Sequence, residues 1–121
     1  TPPQVTERVI DAVAGGAGAV IPVLPVTDTL KTVDASGVVV GTPRRSDMVA
    51  VQTPQGFRWD VLIRAHEEGA SLGADEARAA TDDAGLVEAI GGTVHTVAGD
   101  ERSMKVTRPL DLALAQILVA E

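Results

Sequence analysis

Apolar residues near the start of the chain recur with the period of a helix, and an uninterrupted apolar run follows them. The residues with helical spacing are Val5, Val9, Ile10 and Val13. Thr1-Pro2 predicts the helix start as a cap and first-turn pair, and Gly15-Gly16 predicts its end. Residues 19–24 are continuously apolar, as expected for a strand covered on both faces in a mostly parallel sheet. The pattern therefore predicts an amphipathic helix and then a buried strand.

The segment from residue 27 to residue 51 has the pattern of a hairpin that projects from the sheet. Two apolar stretches, residues 30–33 and 38–41, flank the turn sequence Asp34-Ala35-Ser36-Gly37. A polar stretch then separates this pair from a further apolar run at residues 48–51. We therefore predict a β-hairpin arm within residues 27–51.

The remaining pattern alternates between helices and strands. One helical face ends near Gly69 and contains Trp59, Leu62, Ile63 and His66. A second helix is predicted from Thr81, with Gly91-Gly92 at its end, and strands are predicted at residues 93–97 and 104–107. Pro109 opens a final helix whose apolar side contains Leu110, Leu114, Ile117 and Leu118. Alternating β and α elements predict a three-layer α/β fold.

Composition narrows the class of protein. The chain has 121 residues, which is one domain or a part of one, and 45% of them are hydrophobic. A net charge of -7 argues against nonspecific binding of nucleic acid, which relies on basic surface. No apolar run approaches the roughly 20 residues of a membrane span, so we expect no membrane contact. The absence of cysteine is compatible with a cytoplasmic location, which we expect.

Generic motifs of cofactor and metal sites are lacking. Gly15-Gly16-Ala17-Gly18 follows a helix and has no Lys-Ser or Lys-Thr after it, so it is interpreted as a helix stop rather than a phosphate loop. His66 and His95 lie far apart, without another His or Cys near either. We therefore predict no cofactor-binding and no metal-ligating residue in this chain.

Three short sequences could bind a ligand. Thr53-Pro54-Gln55 follows a predicted strand and precedes a helix, which is the edge where open α/β sheets bind ligands. Thr81 stands at a predicted helix start, where backbone N–H groups can bind phosphate, although a capping role alone would also explain it. Lys105 is by default a solvated strand residue, but facing a ligand it would supply a contact of about 1.5–3 kcal/mol.

Taken in order, the motifs of this chain resemble those of the 2-C-methyl-D-erythritol 4-phosphate cytidylyltransferases and their ribitol-phosphate relatives. They are Asp28-Thr29-Leu30-Lys31, Arg45, Gln52-Thr53-Pro54-Gln55-Gly56-Phe57, Thr81-Asp82-Asp83-Ala84 and Lys105-Val106-Thr107-Arg108-Pro109. The Gly-rich loop and the Asp-Ala-Ala-Arg segment of the family have no counterpart. The resemblance therefore implies that residues 1–121 are the carboxyl-terminal part of a single domain, with the amino-terminal nucleotide-binding half absent.

The resemblance implies a Rossmann-like three-layer α/β fold and an arm that crosses to the partner subunit of a homodimer. It also implies a reaction between CTP and 2-C-methyl-D-erythritol 4-phosphate that gives a cytidine diphosphate sugar alcohol and pyrophosphate, in the non-mevalonate route to isoprenoids. Mg²⁺ would serve the triphosphate through ligands outside this chain. Without the missing half, the chain alone is expected not to turn over.

The resemblance further assigns roles to individual residues. The implied substrate contacts are Thr29, Arg45, Thr53, Thr81 and Lys105, with Arg45 and Lys105 as the catalytic pair. Thr29 and Arg45 would reach the sugar phosphate bound by the other subunit, and the rest would lie at the sheet edge. Arg45 is preferred to Arg44 from its spacing to Thr53. This chain has Ser103 two residues before the lysine, where the family often has Asn.

Two alternatives stay open at this point. The substrate could be ribitol 5-phosphate, since nothing in these residues separates the two polyol phosphates. The chain could also be a noncatalytic dimeric module that binds a sugar phosphate and has lost the nucleotide half.

Overall fold

A computed structural model describes residues 1–70 and 82–120 of the chain. Its helices and strands are, in order, α1 (Pro3–Ala14), β1 (Ala19–Pro25), β2 (Thr32–Val33), β3 (Val39–Gly41), β4 (Val49–Val51), β5 (Gly56–Phe57), α2 (Trp59–Gly69), α3 (Asp83–Ala89), β6 (His95–Ala98) and α4 (Pro109–Val119). Short 3₁₀ turns occupy Arg45–Asp47 and Glu101–Ser103. The alternation of strands and helices confirms the predicted α/β class.

Strand β1 is the centre of the main sheet. It runs parallel to β6, with Val20 opposite His95, and antiparallel to β4 and β5. Strands β4 and β5 follow each other along the chain and pair with successive parts of β1. The sheet is therefore mixed in the described part of the chain, whereas the apolar run had predicted a mostly parallel one. Burial on both faces produces such a run whatever the direction of the neighbouring strands.

Helices cover both faces of β1. Gly56 of β5 lies against α1, where a Cβ would meet Val9, while the next residue, Phe57, packs against the cluster of Ala19, Ala65 and Val87. Successive strand residues point to opposite faces, so α1 lies on one side and the pair α2 and α3 on the other. The predicted three layers are confirmed.

The hairpin arm is formed by β2 and β3, with Thr32 opposite Gly41. Asp34 shapes its turn, because its Oδ1 accepts hydrogen bonds from the backbone N–H groups of Ser36 and Val38 at 2.9 and 3.0 Å. Gly37 has a φ of 85°, which is costly for residues with a side chain. Strand β4 pairs with β1 instead, so this last part of residues 27–51 belongs to the main sheet.

Helices α1 and α2 each differ in one respect from the predictions. Helix α1 is capped by Pro2 rather than by Thr1. In α2, the buried residues are Ala65 and Gly69, while Trp59 is 75% exposed. Small residues face α3 because the two helices approach closely: a Cβ at Gly69 would lie 3.2 Å from Leu86 Cδ2. Residue size, rather than hydrophobicity, selects the packed face here.

The predicted strand at residues 104–107 is wrong. This segment has no strand assignment and precedes α4 directly. The Oδ2 of Asp111 accepts hydrogen bonds from the backbone N–H groups of Thr107 and Arg108, at 3.2 and 3.0 Å. These two backbone N–H groups therefore cap α4 and do not pair with a neighbouring strand.

Helix α4 begins at Pro109 as predicted but leaves much of its apolar surface exposed. Its exposed hydrophobic residues are Leu110, Leu112, Leu114, Ile117 and Val119. Within residues 1–70 and 82–120, no helix has both the length and the apolar character needed to cross a membrane.

Candidate functional site

The turn between β4 and β5 opens onto a cavity of about 440 Å³. Its lining comes from three separate parts of the chain: Val51, Gln52, Thr53, Gln55, Asp82, Ser103 and Lys105. The structure therefore brings Thr53 and Lys105 to the same cavity. Helix α3 begins directly after Asp82 and so positions that residue of the lining.

Gln52 holds the turn after β4 against the end of β6. Its backbone N–H donates to the carbonyl of Pro22 at 2.8 Å, and its side-chain Oε1 accepts from the N–H of Asp100 at 3.0 Å. Gly99 leaves room for this contact, since a Cβ there would overlap Gln52 Oε1. Gln52 thus fixes this part of the cavity lining by hydrogen bonds to two other segments of the chain. The motif alone did not reveal this role.

Asp82 closes the side of the cavity next to Gln55. Its Oδ2 accepts a hydrogen bond from Gln55 Nε2 at 2.8 Å, and its Oδ1 accepts from the backbone N–H of Gly85 at 2.7 Å. Asp82 is therefore the N-cap of α3, whereas the sequence had favoured Thr81 as the start of that helix. Thr81 itself lies outside the described residues, so its implied contact stays a prediction.

Lys105 follows the 3₁₀ turn Glu101–Ser103 and is exposed beside the cavity. Asp100 caps that turn by accepting from the backbone N–H of Arg102 at 2.8 Å. The hydrogen bond from the Arg102 side chain is the main cause that lowers the pKa of Asp100 to about 2. None of the acidic residues in the described part of the chain forms an ion pair with Lys105. Its charge is available to an anionic ligand.

Ser103 is a lining residue that sequence reasoning did not assign to the site. It is 6% exposed, and its Oγ has no hydrogen-bond partner among the residues that the structure describes. An unsatisfied buried hydroxyl costs about 1–3 kcal/mol. Its only signal in the sequence was its position two residues before Lys105.

Thr29 and Arg45 lie on or next to the arm and do not line this cavity. Arg45 begins a 3₁₀ turn, and its Nη1 donates to the carbonyl oxygen of Thr27 at 2.9 Å. Thr29 is exposed, as is the neighbouring Arg44, whose Nε lies 3.9 Å from Asp47 Oδ2. Within this chain, the arm residues are therefore separate from Thr53 and Lys105.

A metal ion does not fit the carboxylates described here. No group of three or more His, Cys, Asp or Glu side chains suitable for a metal occurs within residues 1–70 and 82–120. Among the described residues, Asp82 is the carboxylate that lines the cavity, and both of its oxygens are engaged by Gln55 and Gly85. Besides this engaged carboxylate, the described lining offers one cation with neutral hydroxyl and amide groups, which suits a phosphorylated polyol.

The family of 2-C-methyl-D-erythritol 4-phosphate cytidylyltransferases (IspD) matches the chain over residues 1–121. The chain belongs to this family. It is 51% identical over 121 residues to the 2-C-methyl-D-erythritol 4-phosphate cytidylyltransferase of Rhodococcus jostii (strain RHA1). That alignment covers 100% of this chain and 50% of the relative, so the chain spans about half the length of the curated relatives it matches.

Solved structures of the same family share the fold. The 2-C-methyl-D-erythritol 4-phosphate cytidylyltransferase of Thermus thermophilus superposes with a TM-score of 0.78 at 36% identity, covering 100% of this chain and 57% of that one. The 4-diphosphocytidyl-2C-methyl-D-erythritol synthase of Anaerococcus prevotii gives 0.82 at 26% identity, covering 98% and 52%. The family resemblance and the fold class that the motifs implied are confirmed.

Proposed function

We propose that this chain forms the sugar-phosphate side of a cytidylyltransferase that acts on CTP and 2-C-methyl-D-erythritol 4-phosphate. The observation that carries the proposal is the cavity, where Thr53 and Lys105 meet although they are distant in sequence. Family membership supplies the nature of the two substrates. The exposed cation and the uncharged donors around it suit the phosphate and the polyol, respectively.

In the proposed reaction, a phosphate oxygen of the sugar phosphate attacks the α-phosphorus of CTP. The bond between the α-phosphorus and the bridging oxygen breaks, and pyrophosphate leaves with that electron pair. Such transfers depend mainly on positioning and on stabilising charge, so no general base is needed on this side. Lys105 would hold the attacking phosphate, while the Thr53 hydroxyl would orient the substrate by hydrogen bonding.

We assign none of the described residues to the binding of the CTP triphosphate. Mg²⁺ would serve CTP there, and we assign none of its ligands to this chain. The relatives are about twice as long as this chain, and the remainder of such a protein would supply the nucleotide contacts. We keep a cytoplasmic location as a prediction.

We infer that the arm acts in a homodimer, with Thr29 and Arg45 reaching the sugar phosphate of the partner subunit. Both residues are exposed and away from the cavity of their own chain. A guanidinium can bind phosphate through two parallel hydrogen bonds, and the single contact of Arg45 to the Thr27 carbonyl leaves donors for this role. Exposed apolar residues on the hairpin, such as Val39 and Val40, support a covered surface in the dimer.

The activity is tested by measuring pyrophosphate release from CTP and the sugar phosphate with the full-length enzyme. We expect Arg45→Ala to raise the KM for the sugar phosphate at least tenfold, because a charge-assisted contact contributes about 1.5–3 kcal/mol. The KM for CTP should change little. The neighbouring Arg44→Ala is the matched control. Equal losses for both substrates would contradict the role of Arg45.

The same assay decides between the two polyol phosphates. Faster turnover of ribitol 5-phosphate than of the methylerythritol phosphate would replace the proposed substrate. Sugar-phosphate binding without turnover of either would favour the noncatalytic module.

A further inference from the structure

Ser103 is the one side chain of the cavity that is both buried and without a partner in the described part of the chain. Its Oγ is closed off from solvent, and the residue is 6% exposed. The turn explains its backbone, because Ser103 N–H donates to the carbonyl of Asp100 at 2.9 Å. Nothing in that turn requires the hydroxyl. Rotation about χ1 to another staggered rotamer would turn this hydroxyl from its enclosed position into the polar cavity that the residue lines, where it can hydrogen-bond a ligand.

The cavity changes character between Ser103 and Lys105. Lys105 is exposed and positively charged, so a phosphate dianion can be neutralised there while it keeps part of its hydration. The position of Ser103 is buried, and a dianion placed there without a cation would pay a large desolvation cost. A neutral hydroxyl group pays much less and can both donate and accept.

We propose that Ser103 Oγ hydrogen-bonds a hydroxyl group of the polyol chain, while Lys105 holds the phosphate of the same molecule. This inference rests on the proposed function, since it assigns the two ends of the sugar phosphate within that site. Thr53 lines the same cavity and would contact the same substrate. Ser103 is thereby a substrate-binding residue that selects for a hydroxylated chain.

The test compares Ser103→Ala with the unmodified full-length enzyme, using calorimetric titration with 2-C-methyl-D-erythritol 4-phosphate. Alanine removes only the hydroxyl, and losing an unsatisfied buried group should leave the melting temperature unchanged or higher. We expect Kd for the sugar phosphate to rise about tenfold and the KM for CTP to stay the same. Thr6→Ala, which removes an exposed hydroxyl from α1, is the control and should bind normally.

Inorganic phosphate then identifies the end of the substrate that Ser103 contacts. Its inhibition constant against the sugar phosphate should be equal in the variant and the unmodified enzyme. A parallel rise in that constant would overturn the assignment to the polyol. Unchanged sugar-phosphate binding by Ser103→Ala would overturn the role of Ser103 alone. Failure of the unmodified enzyme to bind the sugar phosphate would overturn the proposed function together with it.

Discussion

The cavity edge and the hairpin arm hold their candidate ligand contacts in different ways. At the cavity, the turn that carries Thr53 is tied to Pro22 and Asp100 through Gln52. On the arm, the one described side-chain hydrogen bond of Arg45 goes to the backbone carbonyl of Thr27, within the arm itself. The turn that carries Thr53 is therefore positioned by hydrogen bonds to other segments of its own chain. The Arg45 side chain is exposed on the arm, as expected of a group that serves a site elsewhere.

The exposure of strand residues also differs between the main sheet and the arm. Val20 of β1 is 0% exposed, whereas Val39 of the arm is 54% exposed although both are strand residues of the same type. Exposed apolar strands are rarely left uncovered, because unpaired edges promote association. The comparison indicates that the described part of the chain covers β1 but leaves the valines of the arm exposed.

The largest effect should come from Lys105→Met. The variant removes the one cation among the cavity-lining residues of the described chain, so kcat/KM for the sugar phosphate should fall about 10- to 150-fold. Steady-state kinetics on the full-length enzyme measure this. Arg64→Met is the control, since its exposed ion pair with Glu68 at 3.5 Å lies on α2 and should matter little. An equal loss of kcat/KM in both variants would show that Lys105 has no specific role at the site.

Mixing two variants tests whether the arm and the cavity belong to different subunits. Subunits with Lys105→Met and subunits with Arg45→Ala should each be weakly active, but a mixed dimer would contain one site with both residues intact. Random assortment should restore roughly a quarter of the normal activity. The measurement is pyrophosphate release after the two proteins are unfolded and refolded together. No recovery, with mixed dimers demonstrated by mass, would place Arg45 and Lys105 in the same subunit.

A matched pair of valine substitutions sharpens the contrast in burial. Val20→Ala should lower the free energy of unfolding by about 2 kcal/mol, because it removes buried methyl groups and leaves a cavity beside α1 or α2. Val39→Ala should cost less than about 0.5 kcal/mol in a monomer, as at other exposed positions. Urea denaturation of the full-length enzyme measures both. If Val39→Ala weakens the dimer in dilution experiments while sparing the monomer, the arm is an interface.

Local patterns predicted most of the elements, and contacts between elements decided what the patterns missed. The turn Asp34-Ala35-Ser36-Gly37 carries its own hydrogen bonds, so the hairpin was predictable from neighbouring residues. The residues at 104–107 were extended and apolar enough to predict a strand, but Asp111 takes their backbone donors. Trp59 fitted a helical face, yet the close approach of α2 and α3 favours Ala65 and Gly69.

The candidate site shows a similar division. Thr53 and Lys105 could be named because ordered motifs resembled one family, and the structure brings them to one cavity. Ser103 could not be named, because a lone serine has no pattern and its importance lies in its burial without a partner in the described part of the chain. Gln52 also required the structure, since its contact with Asp100 joins residues that are distant in sequence.

A smaller effect than that of Val20→Ala is predicted at the start of α4, at the carboxyl-terminal side of the cavity. Asp111 accepts from the Arg108 and Thr107 side chains, at 3.2 and 3.0 Å, and from both of their backbone N–H groups. These contacts, the Arg108 side chain first, lower the pKa of Asp111 from 3.8 to about 2. The folded protein therefore keeps this carboxylate ionised at lower pH than the unfolded chain does.

It follows that the carboxylate stabilises the fold above about pH 4, and that this contribution is lost as the pH falls from 3.8 towards about 2. Asp111→Asn should lower the urea midpoint at pH 6, by less than Val20→Ala does, and the difference from the unmodified enzyme should shrink at acid pH. Glu7→Gln, an exposed carboxylate on α1, serves as the control. A difference that stays constant from pH 6 down to pH 2 would show that Asp111 acts by its shape and neutral hydrogen bonds, and that the segment bearing Lys105 is not held by this charge.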